Sequence, residues 1–116
     1  MPIKEQTKVL QQYLRELRVR FEKRNPPESM SDQAFFQQMK EETEDIFNRL
    51  ETWEEDALAR VKNRELSIHP HQVASTRENM ELLIMHSYYI DCRKRIYMEM
   101  YQSINYVFNL IIDESE

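Results

Sequence analysis

Three histidines, one cysteine and a run of three cations are the side chains in this 116-residue chain best suited to chemistry. His69, His71 and His86 could share a metal ion with nearby carboxylates. Carboxylate-bridged metal bundles place Glu-x-x-His on facing helices. Here Leu66, Ile68 and Leu83 stand three residues before the histidines, so that spacing is missing. His69 and His71 flank Pro70, where capping of a helix start accounts for at least one of them. His86 shares a helical face with Leu82 or with Tyr89 and Ile90, as a partly buried, hydrogen-bonded histidine does. No metal and no cofactor is expected.

Cys92 would lie in the first turn of a helix capped by Asp91, beside Arg93–Arg95, a setting that can activate a thiol. Asp91 partly cancels that field, and no histidine–carboxylate pair accompanies the cysteine. A structural free thiol is the preferred reading. Arg93, Lys94 and Arg95 at a helix start oppose the helix dipole. Together with free backbone N–H groups, and with His69, they are the candidate contact for an anion or a partner. Salt bridging to acidic residues on a neighbouring helix end, or to Asp113 and Glu114 of another chain, is the plainer account. Tyr88, Tyr89, Tyr97, Tyr101 and Tyr106 fit core edges with the hydroxyl at the rim, although Met80, Met85, Met98 and Met100 could line an adaptable groove. With no glycine in the chain a phosphate-binding glycine loop is excluded, and there is no nucleophile elbow. No catalytic residue emerges, so the chain reads as a non-enzyme.

The elements that carry these residues are helical. Ser31–Glu65 runs without Pro or Gly, and Phe36, Met39, Thr43, Ile46, Leu50, Trp53, Ala57 and Val61 recur at steps of three and four. That is one stripe on a helix about 50 Å long, with Ser31 as its N-cap. Before it, Ile3, Thr7, Leu10, Leu14, Leu17 and Phe21 stripe a first helix that Asn25-Pro26-Pro27 ends. After it, His69 or Ser67 caps a third helix with Gln72 reaching back. Its inner face is Val73, Met80, Leu83, Ile84, Ser87 and Ile90. The cations at Arg93–Arg95 interrupt that stripe, which places a turn at Tyr89–Cys92. A fourth helix then carries Ile96, Tyr97, Met100, Tyr101, Ile104, Val107, Phe108 and Ile111. The scarcity of positive-φ turns in a glycine-free chain agrees with an all-α fold, with Asn as the residue expected at any such turn.

Composition narrows the function classes. One cysteine allows no disulfide within the chain, the start MPIKEQTKVLQQ has no apolar signal core, and Leu82–Met85 is far too short to span a membrane. A cytoplasmic protein is expected. The net charge of −5 argues against general nucleic-acid binding. Charge is unevenly spread: residues 1–24 carry seven Lys or Arg against three acids, and residues 25–59 carry two against ten. Antiparallel first and second helices would bring Arg15 near Glu41, with Arg18 and Arg20 about one turn from the Glu41–Asp45 cluster. That pairing would satisfy the asymmetry within the chain. The rival reading, a basic docking side for acidic partners or RNA, requires those cations to point away from the second helix.

A set of residues resembles the YppE-like family, small cytoplasmic helical bundles of Gram-positive bacteria. The set is Phe35-Phe36, Met39-Lys40, Trp53, Ala57-Leu58, Ile68-His69, Gln72-Val73, Asn79-Met80, Ser87-Tyr88 and Lys94-Arg95-Ile96. The resemblance spans residues 35 to 112, and the first helix is similar in character alone. It implies a four-helix up-and-down bundle and supplies no catalytic or ligand residue.

The expected architecture is therefore one all-α domain over 1–116, a four-helix up-and-down bundle with helices near 3–24, 32–65, 70–89 and 92–112. The expected role is protein–protein contact, with a homodimer among the forms it could take, and with neither nucleic acid nor membrane as partner. The alternative is a small-ligand or anion binder using Arg93, Lys94, Arg95 and His69.

Overall fold

The computed structural model describes residues 1–23, 33–88 and 92–115. It is an all-α four-helix bundle: α1 Ile3–Lys23, α2 Gln33–Lys62, α3 Pro70–Tyr88 and α4 Lys94–Glu114. Successive helices run antiparallel. Thr7 meets Trp53 between α1 and α2, Arg77 meets Glu54 between α2 and α3, and Ser87 meets Tyr97 between α3 and α4. The backbones of α1 and α3 approach across one diagonal, whereas among the described residues those of α2 and α4 do not. Trp53 and Phe108 fill that wider diagonal, ring centroids 5.6 Å apart and nearly perpendicular.

The stripes account for the core. All six positions of the α1 stripe are buried, as are Met39, Thr43, Ile46, Leu50, Trp53 and Ala57 of α2. Hydroxyl residues enter the core because each bonds its own helix. Thr7, Thr43, Thr76 and Ser87 donate to the carbonyls of Ile3, Met39, Gln72 and Leu83 at 2.7–2.8 Å. A buried hydroxyl satisfied in this way costs little.

The helix ends depart from the sequence expectation. α2 stops at Lys62 instead of Glu65. Arg64 takes a left-handed conformation, φ 62°, its N–H bonds the Val61 carbonyl, and the Glu65 N–H bonds that of Arg60. That is a Schellman cap built on arginine, and the positive φ falls one residue past the expected kind of residue, Asn63. An L-residue with a Cβ is disfavoured there. Arg64→Gly is therefore expected to raise stability by about 0.5–1 kcal/mol, seen as a higher urea midpoint.

α4 starts at Lys94 with Arg93 as N-cap, not with Asp91 as N-cap and Cys92 in the first turn. Arg93 is extended, φ −64° and ψ 137°, and makes no side-chain cap bond. The Cys92 side chain, one residue before this cap, is buried at 7 % exposed. Cys92 and Arg93 lie outside either helix, so α3 and α4 are separate elements. Residues 89–91 of the expected turn, the N-cap at Ser31 and the Pro26-Pro27 break all lie outside the described residues.

Candidate functional site

His69 caps α3. Its Nδ1 accepts the His71 N–H at 2.9 Å, and Gln72 Oε1 accepts the His69 N–H at 3.0 Å. The reciprocal pair leaves Pro70 at the first helical position, where a missing N–H costs nothing. Ser67, the other cap candidate, instead donates its backbone N–H and its hydroxyl to the Glu114 carboxylate at the end of α4. Those two bonds hold the Glu114 carboxyl below its ordinary range. His69 thus lies at the end of the bundle where α4 finishes, and Arg93–Arg95 lie where α4 begins. The rise of α3 puts about 28 Å between the two ends. The expected grouping of His69 with Arg93, Lys94 and Arg95 is not formed.

The three cations are exposed. Arg95 bonds Glu99 one turn along its own helix, 3.3 Å, while Arg93 and Lys94 have no carboxylate within ion-pair distance among the described residues. His86 is half-buried on α3. Among the described residues no group of three or more His, Cys, Asp or Glu is placed to hold a metal ion.

On its α2 flank, α1 makes two polar clusters. The Tyr13 hydroxyl donates to Asp45, which Arg49 also engages at 2.8 Å. The Tyr88 hydroxyl donates to Glu42 at 2.6 Å, Arg20 reaches the same carboxylate at 3.3 Å, and its guanidinium lies 3.9 Å over the Tyr88 ring. A cleft of about 350 Å³ opens beside this cluster, walled in part by Val19, Lys23 and Phe35. Hydrogen bonds from Tyr88 and Gln38 lower the Glu42 carboxyl, and the bond from Tyr13 lowers Asp45. Burial, then the bond to Glu42, raises the Tyr88 phenol well above its ordinary value. The folded state therefore keeps the Tyr88 proton when the unfolded chain has lost it. This contribution is complete below about pH 10 and is lost as pH climbs from there toward the folded value. Stability is expected to fall more steeply above pH 10 in the wild type than in Tyr88→Phe, measured as urea midpoints across that range.

These contacts slide α2 by about one turn relative to the pairing expected from sequence. Arg20, expected about one turn from the Glu41–Asp45 cluster, reaches it at Glu42. Arg15 instead donates to Gln12 at 2.9 Å and to Gln11 at 3.4 Å, and Arg18 pairs with Glu22 at 3.4 Å and lies 5.4 Å over the Tyr101 ring of α4. The reason is azimuthal. Lys4, Lys8, Gln11, Arg15, Arg18 and Glu22 follow one another at steps of four and three, so they share one flank of α1. Gln11 and Arg18 show that this flank faces α4. The basic side of α1 points away from the acidic helix.

The floor of the resulting α1–α4 groove is an amide network that the sequence reading did not assemble. Gln11, 8 % exposed, donates both protons of Nε2, to Asn105 Oδ1 at 2.9 Å and to Asn109 Oδ1 at 2.8 Å. The signal was a glutamine beside Leu10 in the buried stripe, opposite two asparagines one turn apart on an otherwise apolar helix.

A family model described as a bacterial domain of unknown function, DUF1798, matches residues 7–114. The chain belongs to that family. The match takes in all of α2, α3 and α4 and all but the first turn of α1, so the amide floor of the groove and both tyrosine clusters lie within the DUF1798 domain. It supports the earlier resemblance at the level of a bacterial family without an assigned function. No curated protein and no solved structure matches the chain. Among the described residues no helix of this DUF1798 protein is long and apolar enough to cross a membrane.

Proposed function

We propose that this protein works through protein–protein contacts, as a cytoplasmic, non-enzymatic bundle of the YppE-like kind from Gram-positive bacteria. The observation that carries the reading is the separation of charge. Apart from Arg20, which pairs with Glu42, the cations Lys4, Lys8, Arg15 and Arg18 of α1 gather on the flank away from α2, while Glu41, Glu44, Asp45, Glu51 and Glu55 stay exposed along α2. Surfaces of opposite sign, left unneutralised by one another, suit selection and orientation of a macromolecular partner. The test pairs two measurements. Affinity capture at about 0.15 M salt, followed by reconstitution with the purified partner, is expected to give a stable complex. A thermal-shift screen against metals, nucleotides and phosphorylated metabolites is expected to stay flat. A specific rise in melting temperature with no protein partner would overturn the proposal. It would favour the second reading, an anion held at Arg93 and Lys94, whose support is their exposure without a carboxylate partner among the described residues.

A further inference from the structure

We infer that the α1–α4 groove is a docking surface for a carboxylate-rich helical segment of a partner protein, which deepens, and rests on, the protein-contact reading. Three observations converge on that occupant. The first is spacing. Lys4, Lys8, Arg15 and Arg18 stand at helical steps along one flank of α1, a rise of about 21 Å, and Lys94 lies two turns before Tyr101, the α4 ring under Arg18. A helix laid in the groove between two helices repeats with the same pitch, so Asp or Glu on matching turns would meet Lys4 and Lys8 on one side of the Gln11 turn and Arg15 and Arg18 on the other.

The second is that this charge is unspent. Among the described residues Lys4, Lys8, Arg15 and Lys94 have no carboxylate within ion-pair distance. Glu22, the acid on the same flank, is already engaged by Arg18.

The third is the direction of the amides. Arginine can only donate, so the bond from Arg15 fixes the Gln11 oxygen toward Arg15 and its Nε2 toward α4. Nε2 can only donate, so Asn105 and Asn109 must turn their oxygens to Gln11. Their Nδ2 groups are left as the ends that Gln11 does not engage, on side chains that are half-buried and exposed respectively. The groove thus offers cations and amide N–H groups, and the complementary ligand is an acceptor with negative charge. A carboxylate segment fits better than nucleic acid. The chain carries net charge −5, and the exposed acids of α2 would repel a polyanion that extends past the groove.

The probe is a fluorescein-labelled, alanine-rich peptide of about 18 residues, long enough to populate helix, with glutamate at alternating steps of three and four. The control is the same peptide with glutamine. By fluorescence anisotropy the glutamate peptide is expected to bind at least about tenfold tighter than the control, and to weaken as salt is raised. Lys8→Glu/Arg15→Glu is expected to abolish that preference, and Lys40→Glu on α2 to leave it unchanged, with matching circular dichroism melts. Asn109→Asp is the sharper variant. It keeps an oxygen for Gln11 and turns the outward donor into a carboxylate, so it should also lose at least about tenfold. Equal binding of the two peptides, or an oligonucleotide bound more tightly through the same residues, would overturn the inference. A partner captured equally well by the wild type and by Lys8→Glu/Arg15→Glu would overturn the groove while leaving the protein-contact reading intact. Failure to capture a partner together with a silent peptide would remove both.

Discussion

Replacing Trp53 with alanine is expected to cost about 3–5 kcal/mol of unfolding free energy. Trp53 is fully buried and occupies the diagonal where α2 and α4 do not otherwise approach. Removing it deletes the filling of that space, and two helices held by their neighbours cannot collapse onto the void without disturbing α1 and α3. The edge-to-face contact with Phe108 adds about 0.5–1.5 kcal/mol beyond burial. The lost bond from Nε1 to Thr7 Oγ1, 3.0 Å, adds less, because the Thr7 hydroxyl keeps its own bond to the Ile3 carbonyl. Trp53→Phe restores most of the volume and should recover most of the stability. The chain has a single tryptophan, so the variants are followed by circular dichroism in urea. In the wild type the same residue should report a blue-shifted emission that moves red on unfolding. A loss below about 1 kcal/mol for Trp53→Ala would mean the diagonal closes freely, and that the indole is not what separates α2 from α4.

Much of this bundle could be read from spacing because burial in a helix is periodic. Thr7, Thr43 and Ser87 fall in the stripes by position despite their hydroxyls, and all three are buried. Ends were harder. Gly usually marks a helix stop, and in its absence Arg64 took the left-handed position beside a more conventional Asn63. Phe36 continues the α2 stripe yet is 49 % exposed, so the stripe does not predict burial evenly in the first turn of α2.

The groove was half legible. The imbalance of charge is legible in the residue order, and so is the condition that decides its meaning, whether the cations point toward α2 or away from it. It could not decide which flank of α1 met which neighbour. Two flanks border the α1 stripe, one with Lys4, Lys8, Arg15 and Arg18, the other with Tyr13 and Arg20. Either could face α2 according to whether the bundle turns left or right, and the amphipathic pattern is the same for both hands. The contacts of Arg20 with Glu42 and of Arg18 with Tyr101 settle the hand, and with it the partner of each cation.

Tyr97 is the second position where a large loss is expected, and its two substitutions separate two causes. The ring is fully buried and stacks on Phe21 of α1, centroids 3.8 Å apart and planes 10° from parallel. Its hydroxyl lies 2.8 Å from Ser87 Oγ on α3. The Ser87 proton is already given to the Leu83 carbonyl, so Tyr97 is the donor in that pair. Tyr97→Phe keeps the stack and leaves Ser87 its own bond, and is expected to cost about 0.5–1.5 kcal/mol. Tyr97→Ala removes the stack as well, opens a void between α1, α3 and α4, and is expected to cost about 3–5 kcal/mol. Urea denaturation of both variants checks the ratio. Hydrogen exchange adds a spatial readout: in Tyr97→Ala, amides in the first two turns of α4 should lose protection before those near Ile111, because Tyr97 pins that end while Ile104, Phe108 and Ile111 hold the rest. A phenylalanine variant as unstable as the alanine variant would place the stabilisation in the hydroxyl, and uniform loss of protection along α4 would mean the helix is held as one unit from end to end.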